Sequence, residues 1–71
     1  MTNEVIAKIK ELGYHNALRA RKELYNRAKV EGNWSEARQE RSFINGYLIA
    51  LEDAEILSAL ERRTAFVYYT L

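Results

Sequence analysis

Cysteine and proline are absent from this chain, and histidine occurs once. Without cysteine there is no disulfide and no thiolate metal ligand, so the fold must hold by packing alone. A Cys/His catalytic pair is excluded, and a Ser–His arrangement would have to use His15. The serines, Ser35, Ser42 and Ser58, stand in no nucleophile-elbow context. Zero proline suits long uninterrupted helices. The three glycines, Gly13, Gly32 and Gly46, are too scattered for a phosphate-binding loop or a dinucleotide fingerprint. No cofactor is expected.

Charge of one sign is scarce as well. The net charge is +1, so no overall field draws the chain to nucleic acid or to a membrane surface. No apolar run is longer than that of Tyr47–Leu51, which is far short of the roughly 18 residues of a membrane span. Residues 1–10 place Glu4 beside Val5 and Ile6 and lack the basic-then-apolar layout of a signal peptide, which favours the cytoplasm.

What remains is a small chain with a thin core. Of 71 residues 48% are hydrophobic, but 9 of these are Ala and 5 are Tyr. Surface scaling gives roughly 12,000 Å² unfolded and roughly 4,600 Å² folded, so only about 60% of the surface is buried. Charged residues, 30% of the chain, are interleaved with apolar ones as in a folded domain. No repeat or linker divides residues 1–71, which read as one domain. A tight helical bundle, an oligomer, or both, is expected.

Gly32 is the clearest break: it can end a helix, and Asn33-Trp34-Ser35-Glu36 after it has the capping-box form. Before it, Ile6, Gly13, Ala17, Ala20, Leu24 and Ala28 share one side at 100° per residue, opposite Lys8, His15, Arg19, Lys22 and Lys29. This separation favours one helix running through Gly13, with Glu4/Lys8, Glu11/His15 and Glu23/Arg27 as i,i+4 pairs. The rival breaks at Gly13 and restarts after Asn16, with Tyr14, Leu18 and Tyr25 as its apolar side. After Gly32, Trp34, Ala37, Arg41, Ile44, Leu48 and Leu51 recur in three- and four-residue steps. That pattern outweighs the hairpin-turn dipeptide Asn45-Gly46. Ser58-Ala59-Leu60-Glu61 is another capping-box form, so a third helix should start near 59. The tail Phe66–Leu71 is rich in aromatic and β-branched residues, which favour an extended end.

The fold expected is all-α: an antiparallel helical hairpin of two long helices, about 3–31 and 34–53, plus a short C-terminal helix. The first helix offers its partner mainly alanines, while the second and the tail hold the large apolar groups. This one-sided supply predicts completion by oligomerisation, with a C2 dimer as the default. Interface candidates on the second helix are Trp34, Arg41, Phe43, Ile44, Tyr47, Leu48 and Leu51. In the tail they are Phe66, Tyr68 and Tyr69. Arg41 would sit buried with a carboxylate partner, setting register, or snorkel from the seam's edge.

Residues 1–31 carry +3 and residues 33–71 carry −2. The basic side of the first helix, with His15, Arg19, Lys22 and Lys29 and with Tyr25 at its edge as a stacking group, is the candidate anion site. Its plain alternative is a solvated face. No metal site is expected: Glu11 and His15 are four apart, not three, and no second histidine exists. Helices two and three could form a helix-turn-helix with Arg62 and Arg63 early in the reading helix. A net acidic second half argues against it.

Size, missing catalytic groups and surplus aromatics favour a non-enzymatic binding or regulatory protein that works through protein contacts or self-assembly. In size and style the chain resembles small accessory proteins of bacteriophages and other mobile elements, many of which inhibit or regulate a host protein. The alternative function is capture of a small anionic ligand, such as a nucleotide or cyclic dinucleotide, between subunits. DNA binding comes third.

Overall fold

A computed structural model describes residues 1–71. It contains four helices and no strand: α1 (Thr2–Glu11), α2 (His15–Val30), α3 (Trp34–Asp53) and α4 (Ala59–Tyr69). Helix accounts for 80% of the residues. No helix is long and apolar enough to cross a membrane.

Three of the chain's turns follow one scheme. After α1, the Gly13 N–H donates to the Lys10 carbonyl and the Tyr14 N–H to Ile9. After α2, Gly32 donates to Lys29 and Asn33 to Ala28. After α3, Glu55 donates to Glu52 and Ile56 to Leu51. Each is a Schellman closure, which satisfies end carbonyls by putting one residue in the left-handed region. Glycine fills that position twice, at φ 89° for Gly13 and 73° for Gly32, but Glu55 fills it at φ 61°.

The expected single helix over about 3–31 is therefore two helices. Gly13 ends α1 as Gly32 ends α2, and the chain turns through 12–14. Glu11 and His15 consequently cannot form a helical pair, and Lys8 turns to Glu61 of α4 (3.1 Å) instead of Glu4. The break also changes which side of α2 faces inward. Of the side expected to face inward, Ala28 is buried and Leu24 half-buried, but Ala17 and Ala20 are exposed, while Leu18 is buried and Tyr14 and Tyr25 are half-buried.

Starts are better defined for α3 and α4 than for α1 and α2. Asn33 Oδ1 accepts from the Glu36 N–H, and its side-chain amide donates to the Glu36 carboxylate. The Asn33 N–H itself is taken by Ala28, so Glu36 meets the cap's side chain and not its backbone. Ser58 and Glu61 form a complete reciprocal capping box. That start, and the burial of Ala65 and Tyr69 four residues apart on one face, keeps the chain helical to Tyr69. The expectation of an extended tail is corrected accordingly.

The core draws on every helix. α1 supplies Val5, Ile6 and Ile9; α2 supplies Leu18; α3 supplies Ile44, Leu48 and Leu51; Leu57, Ala65 and Tyr69 complete it. α2 is as poor in large buried groups as expected, but α1, folded back as a separate helix, makes up the difference. The total accessible surface is 4629 Å². This is close to the roughly 4,600 Å² that surface scaling gives for a folded chain of this mass.

Candidate functional site

Four of the ten interface candidates belong to that core. Ile44, Leu48, Leu51 and Tyr69 are buried within the chain and are not available to a partner. The seam's period marks the inner face of α3, and the chain's own helices fill it. Trp34 and Phe43 are exposed, while Tyr47, Phe66 and Tyr68 are half-buried.

Arg41 is exposed and has no carboxylate partner; its guanidinium lies 5.0 Å from the Phe66 ring centre. The buried ionic residue of α3 is its neighbour Glu40, bonded to Arg21 of α2 at 3.2 Å. Arg21 also lies over the Phe43 ring at 4.0 Å. Sequence reasoning missed this pair. The signal available is that Glu40 lies on the same side of α3 as Ile44 and Ala37, at three- and four-residue steps.

The proposed basic face divides into two parts. His15 Nδ1 and the Tyr69 hydroxyl are hydrogen-bonded at 2.7 Å, the imidazole tautomer deciding which of them donates. Burial, then the cations of Lys10 and Arg19, lower the His15 pKa from 6.5. Burial pushes Tyr69 up to about 12. Arg19 is spent on Glu23 at 3.4 Å. Lys22 and Lys29 make the second part. Lys22 Nζ donates to the Tyr68 carbonyl at the end of α4 (2.7 Å) and lies 5.0 Å from the Tyr68 ring centre. Lys29 lies 4.7 Å from that of Tyr25. Neither lysine has a carboxylate partner. Desolvation, then the charge of Lys29, lowers the Lys22 pKa.

Two shallow depressions mark the surface. One of about 280 Å³ is lined by Lys10, Gly13, His15 and Asn16 at the α1–α2 turn. The other, of about 300 Å³, is lined by Thr2, Thr64, Val67, Tyr68 and Leu71. No cavity opens between Lys22, Tyr25 and Lys29. No three acidic or histidine side chains converge as a metal site.

The second depression lies on a face that sequence reasoning left out. Leu60, Thr64 and Val67 follow one another at steps of four and three, so they form one stripe on α4, and Leu71, just past the helix end, lines the depression with Thr64 and Val67. Leu60, Val67 and Leu71 are 52%, 56% and 72% exposed. Ala65 and Tyr69 occupy the opposite, buried face. Treating Phe66–Leu71 as extended conceals this stripe, because a two-residue period scatters it. Toward the start of α4, the Lys8 and Ser58 contacts hold the Glu61 carboxyl below its usual range, the Ser58 N–H first. Arg62 is bonded to Glu52 and not free to reach outward; Arg63 is exposed.

Comparison with known proteins finds no matching family model, no similar curated protein and no similar solved structure.

Proposed function

We propose that this is a small non-enzymatic binding protein, working in the cytoplasm, whose outer α4 face engages another protein. The observation that carries this is the two-sided apolar character of α4: one face is needed by the core, while Leu60 and Val67 on the other, with Leu71 just past the helix end, contribute nothing to it. Exposed apolar groups gathered along one helix are what partner surfaces are made of. In this reading α2 and α3 form an antiparallel hairpin that presents α4. The partner belongs to the class of host proteins that mobile-element accessory proteins inhibit. The test is an affinity capture with the wild type and with a Leu60→Glu/Val67→Glu variant whose helicity is checked by circular dichroism. A defined protein bound directly by the purified wild type and lost by the folded variant supports the proposal. Equal binding by both removes α4 from it.

A second reading, capture of a small anion, is favoured by one observation. Lys22 and Lys29 lack carboxylates and lie over tyrosine rings, an arrangement suited to a phosphate with a stacked base. A thermal-shift series over nucleotides and cyclic dinucleotides would show a rise lost in Lys29→Ala. An unchanged melting temperature throughout would dismiss it.

A further inference from the structure

The outward side of α3 differs from an ordinary solvated helix face. Such faces usually carry charged and polar side chains, many of them long. Between Arg38 and Asp53, α3 instead exposes Gln39, Ser42, Gly46 and Ala50 along its centre line. Two large apolar side chains flank that line, Phe43 at 42% and Ile49 at 40% exposure. At 100° per residue they lie about 60° to either side of Gly46. Gly46 has no role inside the chain. Its backbone is helical with φ outside the left-handed region, and a Cβ there would meet nothing within 4 Å. An interior glycine costs about 1 kcal/mol of helix stability relative to alanine.

The charges at the ends of this face select its occupant. Arg38 stands eight residues before Gly46 and Asp53 seven after it. Both fall on the Ile49 side of the centre line, both are exposed, and neither joins any salt bridge. Opposite charges at nearly equal distances from a central residue make a face complementary to itself under a two-fold axis. A second copy lying antiparallel, Gly46 against Gly46, brings each Arg38 to the Asp53 of the other copy. The same operation sets Phe43 against Ala50 of the second copy and Ile49 against its Ser42, a large group against a small one on both sides. A parallel copy would instead oppose Arg38 to Arg38 and Asp53 to Asp53. We propose that the outward face of α3 binds a second copy of this chain, antiparallel and centred on Gly46. The residues of this face all belong to α3 and none to α4, so this inference stands or falls separately from the functional proposal above.

The chain's lack of cysteine makes the test clean. Sedimentation velocity on the full chain should show a monomer–dimer equilibrium as concentration rises into the submillimolar range. Arg38→Asp or Asp53→Arg alone should abolish the dimer, and the two together should restore it. Under mild oxidation Gly46→Cys should cross-link roughly tenfold faster than Val30→Cys, because the dimer holds the paired thiols at high effective concentration. Val30 is 88% exposed and lies off this face. Val67→Glu should leave dimerisation unchanged. A chain that stays monomeric at submillimolar concentration overturns the proposal. So does a Gly46→Cys variant that links no faster than Val30→Cys, or a charge-reversed variant that dimerises like the wild type. A dimer lost in Val67→Glu and kept in the charge variants moves self-association to α4 and overturns it equally.

Discussion

His15 and Tyr69 stand 54 positions apart in sequence and share a 2.7 Å hydrogen bond. The first turn of α2 is thereby tied to the last turn of α4, and Lys22 adds a second tie through the Tyr68 carbonyl. Both anchors titrate, and both are shifted toward their neutral forms.

Acidification should loosen this tie. The folded His15 pKa lies below 6.5, so between that lowered value and 6.5 the unfolded chain binds more protons than the folded one. Stability from this group is full above 6.5 and is lost as pH falls through the folded pKa. Lys10 and Arg19, the cations facing the ring, reinforce the direction. Urea midpoints measured from about pH 7.5 to about pH 5 should decline below 6.5 in the wild type and lose that slope in His15→Asn. A wild-type midpoint unchanged across this window would contradict the assignment.

Tyr69 acts at the other end of the scale with the opposite sign. Its pKa rises from 10.0 to about 12 on folding, so its contribution is complete below 10.0 and lost as pH climbs through about 12. Lys22, lowered from 10.5, works against this loss, because the unfolded chain holds its proton longer. The comparison is therefore with Tyr69→Phe, which keeps Lys22. Denaturation midpoints above pH 10 should fall more steeply in the wild type than in the variant.

Glu55 holds a left-handed conformation that glycine adopts without penalty. Relief of that strain gains about 1–2 kcal/mol, and the added backbone freedom of glycine returns about 0.5–1. Glu55→Gly should thus stabilise the fold by up to about 1.5 kcal/mol, raising the melting temperature by about 4–8 °C per kcal/mol. Gly13→Ala and Gly32→Ala should each destabilise by about 1 kcal/mol for the same reason. Scanning calorimetry on the three variants checks the signs together.

Gly46 calls for the reverse substitution. With helical backbone and empty space where a Cβ would go, Gly46→Ala should stabilise α3 by about 1 kcal/mol. Thermal unfolding at low concentration, where the monomer dominates, reads this gain. A loss of stability there would mean that a contact inside the chain depends on the glycine.

These positions show where the sequence is legible and where it is not. Gly32 reads as a stop because Asn33 and Glu36 follow it with a start signal. Gly13 closes α1 by the same hydrogen bonds, but Tyr14 supplies no side-chain cap, and Lys8, His15, Arg19 and Lys22 continue at helical spacing across the break. The all-helical class follows from the α3 period and the Ser58 cap. The inward side of α2 does not, since it depends on the turn at 12–14. For the surface, a three- and four-residue period reveals which residues of α3 lie together but not whether the chain itself covers them. Ile44 and Leu48 are therefore core, while the stripe beginning at Leu60 is exposed. Glu55 gives no sign at all, because a left-handed glutamate is selected by the turn and not by its own preference.

The Arg21–Glu40 pair closes the α2–α3 contact and offers the sharpest test of packing chemistry. Glu40 is almost wholly buried, whereas Arg21 keeps part of its guanidinium in solvent and rests on Phe43. A fully exposed pair would be worth at most about 1 kcal/mol, and breaking a fully buried one costs about 3–5. With one partner in each condition, Glu40→Ala should cost about 1–3 kcal/mol. Arg21→Ala should cost more, because it strands the buried carboxylate and uncovers the Phe43 ring. Replacing both, as Arg21→Met/Glu40→Leu, leaves no unpaired charge and should recover most of the loss. Urea denaturation of the single and double variants as a thermodynamic cycle measures the coupling. A zero coupling energy would show that the two side chains act independently and that the burial of Glu40 has another cause.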